Sequence, residues 1–202
     1  MKLYSKTLSP FGRTVSIVAL ELGLAEDIEE IDTTVKPTAP NTAFQALTPM
    51  RKIPALATDD GLVLTDSPVI VDYLCARVGD KRVLGRGTPA EWKIRADYAL
   101  TRAATECAVA GRYETAVRPA DKVWDAWVDD LADKVRAVLA VLEAAPPDHG
   151  GALTVADISL GVLLEYLDGR YGGLWRADHP NLVAWLAPLS AHPSFVATKP
   201  TF

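Results

Sequence analysis

The spacing of hydrophobic positions changes partway along the chain. In residues 1–79, short apolar runs of strand length alternate with segments of helical spacing. From residue 89 onward, apolar residues recur every three or four positions over long segments, as in amphipathic helices. Glycines and charged residues fill positions 80–88, which is typical of a linker. The pattern predicts an α/β domain at 1–79, a linker at 80–88 and an all-helical domain at 89–202.

The first domain is predicted to alternate short strands with helices. The expected elements, in chain order, are strand 2–5, helix 10–22, strand 28–31, helix 42–47, two strands on either side of residues 59–61, and helix 68–78. Asp59-Asp60-Gly61 is a turn signal, which predicts that the last two strands form a hairpin. This βαβ-α-ββα order is the thioredoxin-like arrangement, in which a strand–helix–strand unit and a hairpin share one sheet.

The second domain is predicted to contain only helices. The expected helices, in chain order, are 90–116, 119–144, 158–167 and 181–191, followed by an irregular tail. Thr154 and Asp157 have the spacing of a capping box at the start of the third helix. On the first helix, the residues expected to be buried are Trp92, Ala96, Ala99, Leu100 and Ala103. The five tryptophans are interpreted as core or interface anchors: Trp92, Trp124, Trp127, Trp175 and Trp185.

Composition and charge restrict the partners that the chain can have. Of the 202 residues, 49% are hydrophobic and 23% are charged, as in ordinary soluble globular proteins. The net charge of −5 argues against a nucleic-acid or anionic-membrane surface. The N-terminal residues lack the apolar stretch of a secretory signal, and no apolar run reaches membrane-spanning length. We therefore expect neither a nucleic acid nor a membrane as a partner.

Cysteine and histidine usage indicates neither a disulfide framework nor a metal site. Cys75 and Cys107 lie on separate predicted helices and form no Cys-x-x-Cys motif. Two such cysteines fit a reducing compartment, so we expect a cytoplasmic protein. The three histidines, His149, His179 and His192, do not have the spacing of metal ligands, and no metal site is predicted.

Residues 48–70 carry the clearest candidate chemistry. Ile53-Pro54 precedes the first strand of the hairpin, where proline is tolerated and a cis peptide bond is possible. At such a position the Ile53 N–H and C=O are free to pair with an extended, peptide-like ligand. Ser67 is the expected N-cap of the next helix, whose N-terminus attracts a carboxylate. Asp66 beside it is suited to an ammonium group, so the stretch predicts a clamp for a peptide with an α-amino acid end.

Lys52-Ile53-Pro54 followed by Asp66-Ser67 resembles the glutathione-binding half of the cytosolic glutathione S-transferases. The segment 153–158 is similar to the N-capping motif of the helical domain in that family. The resemblance covers nearly the whole chain. It implies a thioredoxin-like N-terminal domain, an all-α helical-bundle C-terminal domain, glutathione as co-substrate and a homodimer. A small hydrophobic electrophile is the implied second substrate.

Ser9 is the catalytic residue that this resemblance implies. Ser9-Pro10-Phe11-Gly12 stands where thioredoxin-like redox proteins have Cys-x-x-Cys, so the absence of cysteine excludes dithiol chemistry by the protein itself. In serine-type transferases, a serine at this point donates a hydrogen bond to the glutathione sulfur. Such a bond contributes about 1.5–3 kcal/mol and a helix N-terminus about 0.3–1 kcal/mol, enough to lower a thiol pKa by about one to three units. A plain N-cap is the alternative role of Ser9, and Tyr4, Ser5 and Thr7 are the alternative hydroxyls.

Other candidate ligand residues flank these two segments. Lys36 and Lys52 are candidates for the glycine carboxylate of glutathione, with exposed surface charges as the alternative. Phe11 is either a ligand contact or a staple that docks its helix. Arg13 is interpreted as a partner of a ligand carboxylate, of an acid between the domains, or of solvent. Arg51 stands where relatives often have glycine, which makes a left-handed backbone less favourable there.

These residues support three readings of function. The leading hypothesis is a glutathione transferase that binds glutathione and activates its thiol for attack on a small hydrophobic electrophile. In the family the electrophile binds along the long helix after the linker, where Arg102, Glu106 and Tyr113 are candidate contacts. A second hypothesis is another glutathione-dependent activity: isomerase, dehalogenase, lyase or peroxidase. The third is a non-catalytic glutathione-binding or interaction protein.

Overall fold

The computed structural model describes residues 1–148 and 152–201, so His149 lies outside the described residues. The N-terminal elements are β1 (Lys2–Ser5), α1 (Pro10–Glu21), β2 (Glu29–Asp32), α2 (Thr42–Leu47), β3 (Ala55–Ala57), β4 (Val63–Thr65) and α3 (Ser67–Val78). This order confirms the predicted βαβ-α-ββα arrangement. Helix α1 ends as expected, with Gly23 at a φ of 69° after the C-cap residue Leu22.

The four strands form one mixed sheet in the order β2-β1-β3-β4. Strand β1 runs parallel to β2 and antiparallel to β3, and β3 forms the predicted hairpin with β4. Leu3 of β1 lies opposite Leu56 of β3, and both side chains are fully buried. They pack with Val15 of α1 and Ile70 of α3 in one hydrophobic core. The sheet therefore fixes the starts of α1 and α3 relative to each other.

The C-terminal domain is helical, as predicted. Its helices are α4 (Glu91–Ala116), α5 (Asp125–Ala144), α6 (Val155–Tyr171), α7 (Pro180–Ser190) and α8 (Pro193–Ala197). The capping box of α6 is confirmed, since Asp157 Oδ2 accepts from the Thr154 N–H at 2.9 Å and the Asp157 N–H donates to Thr154 Oγ1 at 3.4 Å. Ile158 of α6 packs in the same core as Leu3 and Val15. The two domains thus share apolar packing.

Several helix limits differ from the sequence expectation, and α6 spans Val155–Tyr171 rather than 158–167. Helix α5 begins at Asp125 rather than at residue 119, because 120–122 form a 3₁₀ turn and Trp124 is extended. The expected irregular tail contains the short helix α8. Pro193 fits its first turn, where a missing N–H breaks no helical hydrogen bond. Five residues are too few for hydrophobic spacing to reveal a helix.

The buried face of α4 is the opposite of the one expected. Trp92 is 78% exposed and Leu100 39% exposed, and the three alanines expected to be buried are exposed as well. The buried face instead carries small and polar residues such as Thr101, Ala104 and Thr105. Thr101 Oγ1 donates to Ser159 Oγ of α6 at 2.9 Å, and Thr105 Oγ1 donates to the Thr101 carbonyl at 2.8 Å. Because these hydroxyls are satisfied inside, this part of the face packs closely on α6 with small side chains, while Ile94 and Tyr98 are the large side chains buried nearer the start of α4.

The tryptophans divide between core and surface. Trp175 is buried and donates from Nε1 to Asp168 at 2.9 Å, and Trp185 is half-buried. Trp92, Trp124 and Trp127 are exposed, so these three are not core anchors, and their alternative role as interface anchors stays a prediction. Their apolar surface remains available for contact with another chain.

We propose the domain limits 1–79 and 89–202, since α3 ends at Val78 and α4 begins at Glu91. The connection at 80–88 is not loose, because Val83 and Leu84 are buried and Arg82 donates to the carbonyls of Glu21 and Leu153. Among the helices described, none is both long enough and apolar enough to cross a membrane. No cluster of three or more His, Cys, Asp or Glu side chains in residues 1–148 and 152–201 is arranged to hold a metal ion.

Candidate functional site

Ser9 is the N-cap of α1. Its backbone is extended, and its Oγ accepts from the Gly12 N–H at 3.3 Å. A serine hydroxyl that accepts one bond still has its own proton to donate. The free N–H groups of the first turn give this end of the helix a partial positive charge. The start of α1 therefore presents one hydroxyl donor in a positive electrostatic environment, which favours an anion.

The alternative hydroxyls are placed differently. Ser5 is 4% exposed and lies beneath Gly12, where a Cβ would overlap with Ser5 Oγ. Tyr4 is half-buried and its ring packs against Phe44, with 5.8 Å between the centroids. Thr7 is exposed in the loop before the helix. Ser9 is thus the hydroxyl of the four that caps α1.

The Ile53–Pro54 peptide is cis, and β3 begins at the next residue. Ile53 lies outside the paired registers of the sheet, and its backbone N–H and C=O have no hydrogen-bond partner among the residues described. Arg51 has a φ of 51°, so the expectation that arginine disfavours a left-handed backbone here is wrong. Its N–H donates to the Thr48 carbonyl at 3.2 Å, and its exposed side chain avoids crowding in the turn.

The start of α3 corrects a second expectation. Asp66, not Ser67, is the N-cap, because Asp66 Oδ1 accepts from the Ser67 N–H at 2.9 Å. Ser67 is the first helical residue, and its buried Oγ accepts from the Tyr98 hydroxyl at 3.4 Å. Burial raises the pKa of Tyr98 to about 12, so the phenol stays a neutral donor. Sequence reasoning did not single out Tyr98, since only the packing of α4 against α3 brings it to Ser67.

Arg102 joins the starts of α1 and α3. Its Nη2 donates to Asp66 Oδ1 and Oδ2 at 2.7 and 2.8 Å, and its Nη1 lies 3.0 Å from Glu106 Oε1. Its guanidinium lies over the Phe11 ring, 5.8 Å from the centroid. The sequence predicts Arg102 as a candidate contact of the second substrate, and the structure shows in addition that it pairs with Asp66. Three residues far apart in sequence, Phe11, Asp66 and Arg102, therefore form one cluster.

The two candidate lysines lie at the surface. Lys36 is exposed in a loop, where it forms an isolated bridge with Ala39, and Lys52 is exposed immediately before Ile53. Neither ammonium group has an ion-pair partner within residues 1–148 and 152–201. Lys52 precedes Ile53 directly in the chain, whereas Lys36 bridges to Ala39 and has no contact with that segment among the bonds of the described residues.

Arg13 is an interdomain residue, so its interpretation as a solvated charge is wrong. It is 3% exposed, and its Nη2 lies 2.5 Å from Glu165 Oε2 of α6. The same nitrogen donates to the Phe195 carbonyl of α8 at 3.2 Å. These contacts confirm the interpretation of an acid between the domains. They hold α1, and with it Ser9, against the C-terminal domain.

The residues on either side of Ser9 border apolar space. Leu8 and Pro10 line a narrow crevice with Val162, Tyr166 and Pro200. Burial raises the pKa of Tyr166 to about 12. A larger cavity of about 290 Å³ lies between α1, β2 and α8, and its lining contains Thr7 but not Ser9. We propose the α1 start rather than this cavity as the site of the chemistry, because the polar groups that line the cavity bond to one another: Arg13 Nε donates to Thr198 Oγ1 at 3.3 Å, and Ser16 Oγ donates to Glu30 Oε1 at 2.5 Å.

Comparison with known proteins identifies the family. Residues 8–77 match the family model described as Glutathione S-transferase, N-terminal domain, and residues 125–187 match Glutathione S-transferase, C-terminal domain. A glutathione transferase family member from Pseudomonas fluorescens Pf-5, crystallised with bound glutathione, is 37% identical with a TM-score of 0.95, over 100% of this chain and 99% of that one. A Pf-5 family member with bound S-(propanoic acid)-glutathione is also 37% identical, with a TM-score of 0.90 over 99% of both chains. The Uncharacterized GST-like protein YibF of Escherichia coli (strain K12) is 28% identical over 99% of this chain and 98% of its own length. The chain belongs to the glutathione S-transferase family.

Proposed function

We propose that this protein is a glutathione transferase that activates the glutathione thiol through Ser9 for attack on a small hydrophobic electrophile. The observation that carries the proposal is the Ser9 hydroxyl at the N-terminus of α1. The Pf-5 relative that was crystallised with glutathione, at a TM-score of 0.95, supports it. We place the activity in the cytoplasm, since Cys75 and Cys107 are free thiols.

The proposed glutathione site extends from the hairpin to the start of α3. The Ile53 N–H and C=O pair with the cysteinyl backbone of glutathione beside Pro54. Asp66 takes the α-ammonium group, and Ser67 at the α3 N-terminus takes the α-carboxylate. Two lysines are proposed for the glycine carboxylate, Lys36 and Lys52. Phe11 packs against the ligand between α1 and α3.

Thiol activation follows from the donor capacity of Ser9. A free thiol has a pKa of about 8.5, so little thiolate is present at neutral pH. While Ser9 Oγ accepts from Gly12, its proton donates to the bound sulfur, and the helix end stabilises the negative charge. We expect the pKa of bound glutathione to fall by about one to three units. The electrophile enters from the apolar side of the site, where Leu8 and Pro10 face Tyr166.

The test is a pH titration of the thiolate absorbance of bound glutathione. We expect a lowered pKa in the wild type and a pKa near the free value in Ser9→Ala, with glutathione affinity almost unchanged. Ser9→Gly lacks the hydroxyl but keeps most of the N-cap preference, so it separates the chemistry from the loss of the cap. Thr7→Ala is the control and should titrate like the wild type. An unshifted wild-type titration, or a shift that survives in both Ser9 variants, would contradict the proposal.

We also propose that the protein is a homodimer. Support comes from the apolar side chains that α3 and α4 leave exposed, among them Val69, Trp92 and Leu100. Exposed aromatic and aliphatic side chains on neighbouring helices are typical of the centre of a protein interface. The unexpected outward face of α4 is then the face that the partner covers.

A further inference from the structure

Asp66 has a backbone conformation that residues with a side chain rarely adopt. Its φ is 72° and its ψ is 132°, outside the main regions allowed to non-glycine residues. Such a conformation persists only where surrounding contacts over-determine it. Packing does not provide them, because the Asp66 side chain is 55% exposed. The Asp66 carbonyl accepts from the Ile70 N–H at 3.1 Å, and the remaining contacts that can hold the residue are directed bonds to its carboxylate.

Two groups supply those bonds. The Ser67 N–H donates to Asp66 Oδ1 at 2.9 Å, which is a local contact within the N-cap. The other donor is Arg102 of α4, whose Nη2 reaches both carboxylate oxygens at 2.7 and 2.8 Å. In the part of the chain that the structure describes, Arg102 is the one donor to this carboxylate that comes from another element. It ties the start of α3 to the C-terminal domain.

Besides Asp66, two side chains contact the Arg102 guanidinium. Its Nη1 lies 3.0 Å from Glu106 Oε1, one turn along α4, and its guanidinium covers Phe11. The adjacent Thr101 is 1% exposed and hydrogen-bonds Ser159 of α6, which fixes this turn of α4. A planar guanidinium held in this way is a rigid anchor, which a flexible lysine is not.

We infer that Arg102 is a positioning residue that holds the Asp66 carboxylate where it meets the α-ammonium group of glutathione. The inference rests on the proposed function. The formal charges of Asp66, Arg102 and Glu106 leave one negative charge in the cluster, which is the complement of one ammonium group. Oδ2 of Asp66 accepts one bond from Arg102 and keeps a lone pair for the ligand. Arg102 acts through Asp66 and does not touch the thiol.

The test compares two ligands across matched variants. Calorimetry gives the Kd of glutathione and of its analogue without the α-amino group. The variants are Arg102→Met, Asp66→Asn and the double variant. Arg95→Met is the control, since Arg95 lies on the same helix, pairs with Glu91 at 3.0 Å and is similarly exposed at 29% against 24% for Arg102.

We expect Arg102→Met to weaken glutathione binding about tenfold, because Asp66 relaxes from its strained conformation. Binding of the analogue should not change, since it has no ammonium group to lose. In the Asp66→Asn background, Arg102→Met should add no further loss. Unchanged glutathione affinity, an equal loss for both ligands, or an additive double variant would each overturn the inference. Arg95→Met should bind both ligands like the wild type.

A result that contradicts the proposed function can be distinguished from one that contradicts the role of Arg102. If the wild type bound neither peptide, the proposed function would be wrong. Amide hydrogen exchange at Ser67 would then test, without any ligand, whether Arg102 positions Asp66. The Ser67 N–H is bonded to Asp66, so its exchange reports whether the cap stays formed. We expect exchange about tenfold faster in Arg102→Met than in the wild type. An unchanged exchange rate would overturn the role of Arg102.

Discussion

Near the start of α1, Gly12 has no side chain, and this allows the helix to approach Ser5 of β1 closely. A Cβ on Gly12 would overlap with Ser5 Oγ and lie 3.3 Å from Ser5 Cβ. Ser5 is buried, so its hydroxyl has little room to move aside. The Gly12 N–H is also the group that Ser9 caps. The position of the proposed catalytic hydroxyl therefore depends on this close contact.

Gly12→Ala should lower the free energy of unfolding by about 1–3 kcal/mol, through overpacking against Ser5. Helix propensity alone predicts the opposite sign, because alanine is favoured over glycine within a helix by about 1 kcal/mol. Urea denaturation measures the difference. Ser5→Ala combined with Gly12→Ala should recover most of the loss, since the overlapping oxygen is removed. A stabilised single variant would show that the contact does not limit packing.

At the candidate site, sequence reasoning predicts the helix cap at Ser9 but not the backbone of two neighbouring segments. The Ser9 cap follows from a local pattern: serine is a favoured N-cap residue, and proline is favoured at the first helical position that follows it. Arg51 and Asp66 both have positive φ, which local sequence does not favour for either residue. Asp66 Oδ1 accepts a hydrogen bond from Arg102 of α4, and no local sequence pattern contains that contact. Its roles as N-cap and as partner of α4 therefore required the structure.

Between elements, a buried ion pair connects α1 to the C-terminal domain. Arg13 Nη2 lies 2.5 Å from Glu165 Oε2, and Glu165 Oε1 accepts from Ser190 of α7 at 2.7 Å. The guanidinium also lies 5.4 Å from the centre of the Phe195 ring. Arg13 is almost completely buried, so its charge depends on Glu165 for compensation.

Glu165→Gln should lower the free energy of unfolding by about 3 kcal/mol, because it leaves the Arg13 charge buried without its counter-ion. The double variant Arg13→Met with Glu165→Leu should be closer to the wild type than Glu165→Gln is, since apolar groups of similar size replace the pair. Chemical denaturation of the three proteins measures this. A Glu165→Gln variant as stable as the wild type would mean that the Phe195 carbonyl and Thr198 compensate the charge.

Elements with strong local signals were predicted well, and those that depend on partners were not. The β3–β4 hairpin and the α6 capping box follow from turn residues and caps that lie in the sequence itself. On α4 the apolar spacing predicts Trp92 and Leu100 in the core, whereas the buried residues include Thr101, which bonds Ser159 of α6, and Thr105. Hydrophobic spacing identifies the apolar face of a helix. It does not distinguish a face that is buried within the chain from one that is buried against another chain.

Across the whole molecule, several ionisable groups are buried in their neutral form. Burial raises the pKa of Cys75, Tyr98 and Tyr166 to about 12, from ordinary values of 9.0 for the thiol and 10.0 for the phenols. These side chains lie in α3, α4 and α6, so both domains are affected. In the unfolded chain each group would lose its proton at a lower pH than in the folded protein.

The free energy of unfolding should therefore fall as the pH rises from about 9 towards 12. Below pH 9 both states keep these protons, and the full stability is present. Between the unfolded and folded pKa values, the folded state binds more protons, so each group lowers stability by about 1.4 kcal/mol per pH unit. Urea denaturation at a series of alkaline pH values measures the slope. Tyr166→Phe should reduce it above pH 10, and a slope unchanged by that variant would contradict the assignment.

The proposed homodimer can be tested by substitutions on the exposed face of α4, which carries Trp92. Trp92→Glu should convert the proposed homodimer to a monomer, because a charge replaces a large apolar anchor in the interface. Trp124→Glu is the matched control, since Trp124 is 66% exposed but lies before α5, away from α3. Sedimentation velocity should show dimers for the wild type and Trp124→Glu and monomers for Trp92→Glu. A monomeric wild type, or dissociation by Trp124→Glu alone, would place the interface elsewhere or remove it.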